Sequence, residues 1–480
     1  MERIKKADNF IQMLEDAGYE AFYVGGCVRD LIMRDIAAED PASITYGDID
    51  VTTDATPEEM EEVFRDYRLI ETGIKHGTVT VLNGAGMPVE ITTFRTDGDY
   101  SDHRHPDSVI FVRDLKEDLQ RRDFTINAIA MDSHGNIRDP FGGEADIRRR
   151  IIRAVGDPDK RFREDALRIM RALRFAAILE GGNKLAGEAA AFAIEARTEE
   201  AMFRNKELLR NVSAERIFVE FKKLIVGSNA GNVIRRYVDI LGVIIPELLP
   251  MKGFDQRNPY HKYDVLEHCV RAMEVIEIPA DAPAEQVYMK IAALLHDVGK
   301  PDTFFIGEDG IGHTYGHPAR GEEMVRQIME RLKADHTTRA RVASLVKYHD
   351  LVFQEDDRLL KRWIGRFGEK HLIEILHIKR ADNIATGNMS HELEEKFNRV
   401  EDRIKQIAAS NACCSVKDLA VNGNDVLAAI DRLANIPDNQ KGPLVGKVLD
   451  QVLNEVIDGA LRNLREEQLK RIDQVITDQP

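Results

Sequence analysis

The pattern of hydrophobic and polar positions changes character near residue 146. Before it, short runs that alternate between hydrophobic and polar residues are separated by glycine-rich turns, which predicts a mixed sheet with flanking helices. After it, hydrophobic residues recur at helical spacing almost throughout, for example over 207–225 and 233–249. The pattern therefore predicts an α+β fold, with a mixed α/β head followed by an all-α remainder.

Further changes along the chain divide it into four predicted regions. They are 1–146, 147–254, 255–390 and 391–480. The turn-forming pair Asn258-Pro259 marks entry to the third region. The last region is helical in pattern and highly charged. At 480 residues, a chain of two to four domains is expected.

The first chemical feature is a strand followed by two glycines and a helix. Residues 19–24 have a strand pattern, Gly25 and Gly26 follow, and the next helix opens around Arg29. The glycines let the backbone approach a triphosphate closely, and the arginine can clamp it with paired hydrogen bonds. A lone Gly-Gly after a strand is also common in ordinary turns.

Carboxylates follow at Asp48 and Asp50. Alternation puts both on one face of a strand and Ile49 on the other. Such a pair repels unless a cation lies between its members, and hard oxygen ligands suit Mg²⁺ bridging to phosphates. A predicted hairpin over 78–94 brings Glu90 beside the pair as a third acid; a solvent-facing role for Glu90 is the alternative.

A third feature is the segment from Glu164 to Arg174. On one helix, Asp165 and Arg168 are a turn apart and project the same way, so an acceptor lies beside a donor fork. Cytosine and adenine present an amino donor next to a ring-nitrogen acceptor, and this pair would therefore select CTP and ATP. The alternative is a solvated helix ion pair, which is common and weak.

Six ordered blocks in the first half of the chain together resemble the class II tRNA nucleotidyltransferase and poly(A) polymerase family. The blocks are Val24–Asp30, Asp48–Pro57, Val89–Arg95, Arg121–Ala128, Asp139–Gly143 and the 164–174 segment. The resemblance implies a nucleotidyltransferase head, then a helical neck and body that bind RNA and nucleotide. It implies template-independent addition of CCA to the 3′ end of tRNA from CTP and ATP.

The same resemblance assigns roles to residues. Asp48 and Asp50 would hold two Mg²⁺, with Glu90 as a third catalytic acid. The substrate-binding residues would be Gly25, Gly26, Arg29, Arg122, Asp123, Asn127, Asp165, Arg168, Arg171 and Arg174. In the implied reaction the RNA 3′-hydroxyl attacks the α-phosphate in line and expels pyrophosphate, while metal ions and arginines neutralise the developing charge.

Two segments qualify the resemblance. The stretch 38–46 is longer than the usual connection before the Asp pair, which predicts a surface insertion. The polar segment 96–108 is predicted to be a mobile loop, and its presence favours full CCA addition over CC-only addition. Poly(A) polymerases share the blocks, so an A-adding enzyme stays as an alternative.

A second constellation lies in residues 255–390 and resembles the HD phosphohydrolase superfamily. The implied metal ligands are His268, His296, Asp297 and Asp382, with His317 and His349 as extra ligands in a two-metal site. Imidazole-rich coordination suits Mn, Ni, Co, Fe or Zn better than Mg. The implied reaction is phosphoester hydrolysis, such as trimming a 2′,3′-cyclic or phosphorylated tRNA end.

Alternatives remain at this second site. Several of the 14 histidines could be surface or core residues unrelated to metal. A competing function from another class is a nucleotide or second-messenger hydrolase whose N-terminal half only binds RNA. An N-terminal half that only binds RNA would be expected to have lost some of the residues predicted for nucleotidyl transfer. Asp48, Asp50, Arg122, Asp165 and Arg168 are all present, which argues against this alternative.

Composition and charge narrow the partners. The net charge of −16 argues against indiscriminate binding to nucleic acid, yet residues 148–174 carry ten basic and four acidic side chains. The N-terminus is too charged for a signal peptide, and no apolar run is long enough for a membrane span. Four cysteines without zinc spacing favour the reducing cytoplasm. The expected partners are tRNA, CTP and ATP, with no membrane and no DNA; the oligomeric state is not determined.

Overall fold

The computed structural model describes residues 2–37, 49–74, 77–82, 88–97, 109–181, 190–257, 262–277, 287–308, 310–387, 389–434 and 436–478. Four sequence predictions fall on other residues and lie outside this description: the insertion at 38–46, Asp48, most of the loop at 96–108, and the turn at 258–259. The chain forms two compact units. One comprises Met1–Lys252 with Gln327–Arg339, and the other Gly253–Arg326 with Ala340–Pro480.

Strands concentrate in the first unit. They are β1 (Ala21–Val24), β2 (Asp50–Thr53), β3 (Arg68–Gly73), β4 (Thr78–Leu82), β5 (Pro88–Thr93), β6 (Arg95–Asp97), β7 (Val109–Phe111), β8 (Ala130–Met131), β9 (Ile137–Arg138), β10 (Ile151–Ile152), β11 (Glu180–Gly181), β12 (Ala190–Ala191) and β13 (Ala193–Ile194). The second unit contributes β14 (Phe305–Ile306) and β15 (Gly312–His313).

Helices make up most of the chain. Up to residue 252 they are α1 (Glu2–Asp16), α2 (Gly26–Ala37), α3 (Pro57–Val63), α4 (Leu115–Gln120), α5 (Gly143–Arg149), α6 (Pro158–Glu164), α7 (Leu167–Ile178), α8 (Ala196–Asn205), α9 (Ala214–Ile225) and α10 (Ala230–Leu241). Beyond it they are α11 (Val265–Val275), α12 (Val287–Leu295), α13 (Lys300–Thr303), α14 (His317–Arg331), α15 (His336–Tyr348), α16 (Asp357–Phe367), α17 (Glu369–Ala385), α18 (His391–Ala409), α19 (Gly423–Leu433), α20 (Asp438–Ile457) and α21 (Arg465–Thr477). Short 3₁₀ turns lie at Thr125–Asn127, Lys206–Asn211, Pro246–Leu248 and Val416–Asp418.

Among the described residues, the head is built on a seven-stranded mixed sheet in the order β3-β4-β5-β2-β1-β8-β9. Strands β2 and β5 are parallel, and β1 is antiparallel to both β2 and β8. All four residues of β1 are buried because both faces of this central strand are covered. The predicted α+β class, with a mixed sheet first and helices after it, is confirmed.

The helical part of the first unit places one long helix beside the sheet. Helix α7 packs against α9 and α10, and its side chains are buried from Leu167 to Ala177 with the exception of Arg171. The three arginines of the 164–174 segment, Arg168, Arg171 and Arg174, therefore lie at an edge of the core and not on an open surface. This position sets the geometry of the cleft described below.

The second unit holds two helical layers of its own. Helices α11, α12 and α17 pack together around residues such as Val270, Leu294 and Leu376, all of which are fully buried. Helices α19, α20 and α21 enclose a separate core that includes Val452 and Ile472. None of the helices in the described residues has the length and apolar character needed to span a membrane.

Two candidate active sites

A cleft of about 650 Å³ opens in the first unit between the sheet and α7. It is lined by every residue that was predicted to bind substrate and by the predicted metal ligand Asp50: Gly25, Gly26, Arg29, Arg122, Asp123, Asn127, Asp165, Arg168, Arg171, Arg174 and Asp50. Phe175 and Arg216 line it too, although the sequence analysis did not single them out. Seven arginines and four aspartates of the described part of the chain line the cleft, so it is cationic overall. We call Arg29, Arg171 and Arg174 its cationic wall.

The two glycines leave room where polar groups converge. Gly25 has a φ of +75°, a conformation that L side chains rarely adopt. A Cβ atom there would lie 3.3 Å from Nη1 of Arg122 and 3.7 Å from Oδ2 of Asp50. A side chain at residue 25 would therefore intrude between a cation and an acid. The strand, the turn and the helix around it form as the sequence pattern predicted.

Asp50 and Glu90 lie side by side on neighbouring parallel strands. They are direct partners in the register of β2 and β5, so their side chains project to the same face of the sheet. Ile49 and Val51 are buried, whereas Asp50 is half-buried and Glu90 is exposed. The hairpin of β4 and β5 forms as predicted and brings Glu90 to this place. These hard oxygen donors beside a cationic cleft fit Mg²⁺ with phosphates.

A chain of hydrogen bonds orders the cationic wall. Arg171 donates from Nε to Oδ2 of Asp123 at 2.7 Å, and Asn127 donates to Oδ1 at 3.0 Å. Arg29 in turn donates from Nη1 to the Asn127 side-chain oxygen at 2.9 Å. Burial would raise the pKa of Asp123, but Arg171 and Asn127 hold it at about 2. Asp123 is thus an ionised, buried anchor that aims other groups into the cleft.

The ring of Phe175 lies under three guanidinium groups. The carbon at the centre of each group is 5.2 Å from the ring centroid for Arg29, 5.4 Å for Arg171 and 4.3 Å for Arg174. An aromatic face attracts cations, so the ring offsets part of their mutual repulsion. Burial lowers the pKa of Arg174, while the Glu220 carboxylate, 3.1 Å from its Nε, counteracts that effect.

The expectation that Asp165 and Arg168 project together from one helix is wrong. Helix α6 ends at Glu164, and Asp165 has extended backbone angles, φ −143° and ψ 102°. The Asp165 side chain accepts a hydrogen bond from the Leu167 amide at 3.0 Å, which is how aspartate interrupts a helix. Arg216 of α9 binds the carboxylate of Asp165. Both Asp165 and Arg168 still line the cleft.

Arg168 is held by contacts from three directions. It donates to Glu164 at 2.8 Å and to the carbonyl oxygens of Arg161 and Arg121 at 3.2 and 2.9 Å. The side chain is buried as a result. A guanidinium group has five N–H donors, so this fixed position leaves donor capacity for a ligand.

The second unit contains a buried cluster made of all six predicted histidines and aspartates of the 255–390 region. They are His268, His296, Asp297, His317, His349 and Asp382. His268 Nε2 lies 3.2 Å from His296 Nε2 and 3.0 Å from Asp382 Oδ1. His317 Nε2 and His349 Nε2 are likewise 3.2 Å apart. Such convergence of imidazole nitrogens and carboxylates is the donor set of a transition-metal site.

Asp297 connects the two halves of this cluster. Its Oδ2 faces His268 and His296 at 3.5 and 3.3 Å, and its Oδ1 faces His317 and His349 at 3.3 and 3.5 Å. Neither oxygen has a hydrogen bond of good geometry, although Oδ2 also forms an ion pair with Lys300 and the residue is almost fully buried. Buried carboxylate oxygens are rarely left in this state without a ligand. The residues therefore fit two ions that share Asp297.

Three imidazoles of the cluster, those of His296, His317 and His349, are oriented by the backbone. Nδ1 of His296, His317 and His349 lies 2.8, 2.8 and 2.7 Å from the carbonyl oxygen three residues earlier in each case. A carbonyl only accepts, so Nδ1 donates its proton to the backbone and Nε2 faces the cluster. Burial lowers the pKa of His349, which favours its neutral form, whereas the Asp297 carboxylate outweighs burial at His296 and raises the pKa of that imidazole.

Basic groups complete the surroundings of the carboxylates. Lys300 Nζ lies 2.7 Å from Oδ2 of Asp297, and Lys379 Nζ lies 3.1 Å from Oδ2 of Asp382. Asp382 is the most exposed of the cluster's carboxylates, with 18 % of its side chain accessible. Helix α12 ends at Leu295, immediately before His296 and Asp297, which lets these two adjacent residues reach the same centre.

Three domain families match the chain. Residues 21–153 match the poly A polymerase head domain, 191–251 the probable RNA and SrmB-binding site of polymerase A, and 265–387 the HD domain. The resemblance to the class II tRNA nucleotidyltransferase and poly(A) polymerase family, with an added HD domain, is confirmed. The head and HD domains imply dependence on divalent metal ions.

Curated relatives are CCA-adding enzymes. That of Lactobacillus helveticus (strain DPC 4571) is 50% identical over 255 residues, which are 53% of this chain and 58% of the relative. That of Geobacillus stearothermophilus is 48% identical over 230 residues, or 48% of this chain and 51% of the relative. The aligned part of the chain thus spans a little over half the length of these curated relatives.

Solved structures show the same fold over nearly the whole chain. The Bacillus stearothermophilus CCA-adding enzyme in complex with CTP has a TM-score of 0.69 at 29% identity, covering 98% of this chain and 97% of that one. A CCA-adding enzyme in complex with ATP has a TM-score of 0.58 at 19% identity, covering 99% of this chain and 96% of that one. The latter similarity concerns the fold alone.

Proposed function

We propose that this chain, with its poly A polymerase head domain and its HD domain, adds CCA to the 3′ end of tRNA from CTP and ATP without a template. The observation that carries the proposal is the cleft in which Asp50, the Arg29 network and Asp165 meet. Similarity to CCA-adding enzymes over about half of each chain supports it. Because tRNA is the proposed substrate, the cytoplasm is the proposed place of reaction, and neither DNA nor a membrane is a proposed partner.

The cationic wall would bind the triphosphate. Arg29 is fixed by Asn127 and Arg171 by Asp123, so their guanidinium groups are oriented before a ligand arrives. Bidentate arginine is well suited to phosphate oxygens, and pre-orientation lowers the entropy lost on binding. Gly25 and Gly26 would let the phosphates approach the backbone, and Arg122 beside Gly25 would neutralise charge on the leaving pyrophosphate.

Asp165 and Arg168 would select the base. In this proposal the Asp165 carboxylate accepts a hydrogen bond from the amino group of cytosine or adenine, and Arg168 donates to the adjacent ring nitrogen. Guanine and uracil present a carbonyl oxygen where Asp165 needs a donor, so they are rejected. Arg174 supports the pocket through its contact with Phe175. Protein side chains thereby take the place of a template strand.

Mg²⁺ is the proposed ion of the head. Asp48 and Asp50 would hold it, with Glu90 as the neighbouring acid on β5. When bound, Mg²⁺ supplies charge neutralisation at the attacking and leaving oxygens of phosphoryl transfer. Asp50 itself remains a fixed anionic group at the edge of the cleft, on a strand whose other side chains are buried in the core.

For the second unit we propose a metal-dependent phosphohydrolase that acts on tRNA ends. His268, His296, Asp297 and Asp382 would hold one ion, and His317 and His349 would hold a second one together with Asp297. The imidazole content favours Mn, Ni, Co, Fe or Zn, and such an ion supplies a nucleophilic water at neutral pH. The chain's own contribution is a set of three imidazoles whose direction is fixed by backbone carbonyls.

The proposed division of labour follows the predicted regions. Residues 1–146 would form the nucleotidyltransferase head, 147–254 the RNA- and nucleotide-binding neck and body, 255–390 the HD domain, and 391–480 a helical tail. The chain divides into compact units at Lys252 and Gly253, close to the second of these boundaries.

One incubation tests the central proposal. Purified protein is mixed with tRNA that lacks its terminal CCA and with labelled CTP and ATP, together and separately. Addition of three nucleotides ending in A is expected with both, and addition of two with CTP alone. A long A ladder without CTP would replace the proposal by an A-adding enzyme, and no incorporation would refute it. A single-stranded DNA oligonucleotide is the control that should not be extended.

A further inference from the structure

An exposed cluster of aromatic rings lies beside the HD centre. Phe305 is 46% exposed and Tyr315 is 74% exposed, while His313 is partly buried between them. The ring centroids of His313 and Tyr315 are 5.2 Å apart with an interplanar angle of 21°, and both rings lie within 6 Å of Phe305, at 5.5 and 5.7 Å. We call these three residues the aromatic cluster.

The cluster is tied to a metal-ligand residue by a tight turn. The His317 amide donates to the Thr314 carbonyl at 3.2 Å, so Tyr315 and Gly316 occupy the middle of the turn, and Gly316 has a φ of +82°. Tyr315 precedes His317 by two residues, which limits their Cα separation to about 7 Å. One nucleotide could therefore have its base on Tyr315 and its phosphate near His317.

The hairpin that carries Phe305 and His313 is fixed against the same centre. Gly312 donates its amide to the Arg257 carbonyl at 3.0 Å. The neighbouring Gln256 accepts a hydrogen bond from Lys300 at 2.9 Å, and Lys300 Nζ lies 2.7 Å from Asp297. The rings thus have a defined position relative to the buried carboxylate that joins the two groups of imidazoles.

Burial does not account for the position of Tyr315. Phe305 and His313 are direct partners across β14 and β15, and such pairs stabilise a hairpin. Tyr315 lies beyond the strands, and three quarters of its surface is open, so it adds little to that stabilisation. A large ring held parallel to its neighbour and open to solvent is the arrangement that nucleobases stack on.

We propose that the aromatic cluster is a base-stacking surface, and that the HD site therefore acts on phosphoesters attached to a nucleoside, such as the unpaired terminal nucleotide of an RNA. This inference rests on the proposed phosphohydrolase activity. Stacking accepts any base, so the surface would confer a preference for nucleotides over other phosphoesters without a sequence preference. The polar phosphate would then face His317 and Lys300.

The test compares two substrates that differ only in the base. Hydrolysis of a nucleoside 2′,3′-cyclic phosphate and of the 2′,3′-cyclic phosphate of methyl riboside is measured with the metal-loaded full chain. For Tyr315→Ala, kcat/KM for the nucleotide is expected to fall about 10-fold or more, and kcat/KM for the base-free substrate to stay within about 2-fold. Tyr315→Phe keeps the ring and should behave as the parent.

Controls separate stacking from folding. Metal content is measured for every variant, and Leu464→Ala, which truncates another exposed hydrophobic residue, should leave both substrates unaffected. Equal losses for the two substrates, or loss of metal in Tyr315→Ala, would give the residue a structural role and overturn the proposal. Equal kcat/KM values for Tyr315→Ala and the parent with the nucleotide would overturn it as well.

A binding measurement distinguishes the proposed base-stacking surface from the proposed phosphohydrolase activity. Calorimetric titration with a nucleoside 2′-monophosphate is compared among parent, Tyr315→Ala and Tyr315→Phe, so that binding to the head cleft cancels in the comparison. Binding lost only in Tyr315→Ala, in a protein that hydrolyses neither substrate, would support the stacking surface and refute the hydrolase. Hydrolysis that does not depend on Tyr315 would support the hydrolase and refute the stacking surface.

Discussion

Arg216 donates hydrogen bonds from both terminal nitrogens to the carboxylate of Asp165, the shorter of them 2.8 Å long. The two residues belong to different parts of the chain, since Asp165 joins α6 to α7 and Arg216 lies on α9. A paired guanidinium stabilises the ionised carboxylate and limits its rotation. The acceptor proposed to read the base is therefore oriented by a residue distant in sequence.

Replacing Asp165 with alanine is expected to weaken discrimination against UTP and GTP about 10-fold or more, because the acceptor for the amino group is lost. Single-nucleotide incorporation with each of the four triphosphates measures this effect. Arg216→Ala should produce a smaller loss in the same direction, with Arg216→Lys between it and the parent. Unchanged discrimination in Asp165→Ala would place base reading elsewhere.

Asp50→Ala is expected to lower CCA addition at least about 1,000-fold, because a carboxylate that lines the cleft and is proposed to hold Mg²⁺ is removed. Hydrolysis by the second unit and binding of tRNA should be retained. The measurement is incorporation of labelled CTP at saturating tRNA, and Asp50→Asn tests the charge at nearly constant volume. Asp48→Ala is expected to have the same effect. Incorporation at the parental rate would refute the assignment.

Asp123→Asn is expected to disorder the wall that it anchors. Its carboxylate fixes Arg171 and, through Asn127, also Arg29. Losing it should raise KM for CTP and ATP and lower kcat/KM about 100-fold. The conservative change keeps the volume, so correct folding is checked by circular dichroism and by the activity of the HD site. Parental KM values would contradict the proposed network.

The same residue gives a pH dependence of stability. The folded pKa of Asp123 is about 2, below the value of about 3.9 for unfolded aspartate. Its contribution, about 3 kcal/mol, is therefore present above about pH 4 and is lost as pH falls towards 2. The difference in melting temperature between parent and Asp123→Asn should be large at pH 5.5 and roughly half as large at pH 3. A difference independent of pH would contradict this.

Phe175→Leu tests the aromatic ring under the guanidinium groups. Leucine keeps an apolar core side chain but lacks the ring face that attracts Arg29, Arg171 and Arg174. We expect KM for both triphosphates to rise about 3- to 10-fold, in line with about 1 kcal/mol of cation–π attraction. Phe175→Tyr keeps the ring and should retain a parental KM. A fall in kcat alone would indicate a different role.

Two substitutions distinguish one metal ion from two in the HD cluster. His349→Ala removes a proposed ligand that faces Oδ1 of Asp297 and not its Oδ2. Asp297→Ala removes the residue that both proposed metal sites share. Elemental analysis is expected to give two transition-metal ions per parent chain, one for His349→Ala and none for Asp297→Ala. His391→Ala, which changes a histidine with 85% of its side chain exposed, is the control. Two ions retained in Asp297→Ala would refute the shared site.

Local sequence was sufficient for the strand, turn and helix at 21–37 and for the 78–93 hairpin. Alternation and two glycines predicted these elements, and the same alternation placed Ile49 and Val51 inside with Asp50 facing out. The six residues predicted to bind metal were taken from the resemblance to the HD superfamily, and they lie together in one cluster. The strand, turn and hairpin predictions depend on residues whose spacing along the chain fixes their geometry, whereas the cluster joins residues in or next to separate helices.

The sequence did not reveal site residues whose role depends on contacts between distant segments of the chain. Arg216 and Phe175 line the cleft, but a single arginine or phenylalanine on an amphipathic helix has no distinguishing spacing. The helix expected through Asp165 is broken because its side chain accepts a hydrogen bond from the amide of Leu167, and hydrophobic periodicity does not reveal this competition. An aspartate directly before a hydrophobic run is an N-cap signal and could have revealed the break.

The contacts between Nδ1 and the carbonyl three residues earlier have a consequence for how the HD centre assembles. In His296, His317 and His349 the ring direction is set within a four-residue stretch of backbone, independently of any ion. In the metal-free protein these imidazoles should therefore keep the orientation that binds metal. Removing the metal ions and adding them back should then require no refolding of the chain. A cell could exchange one ion for another at this centre as supply changes.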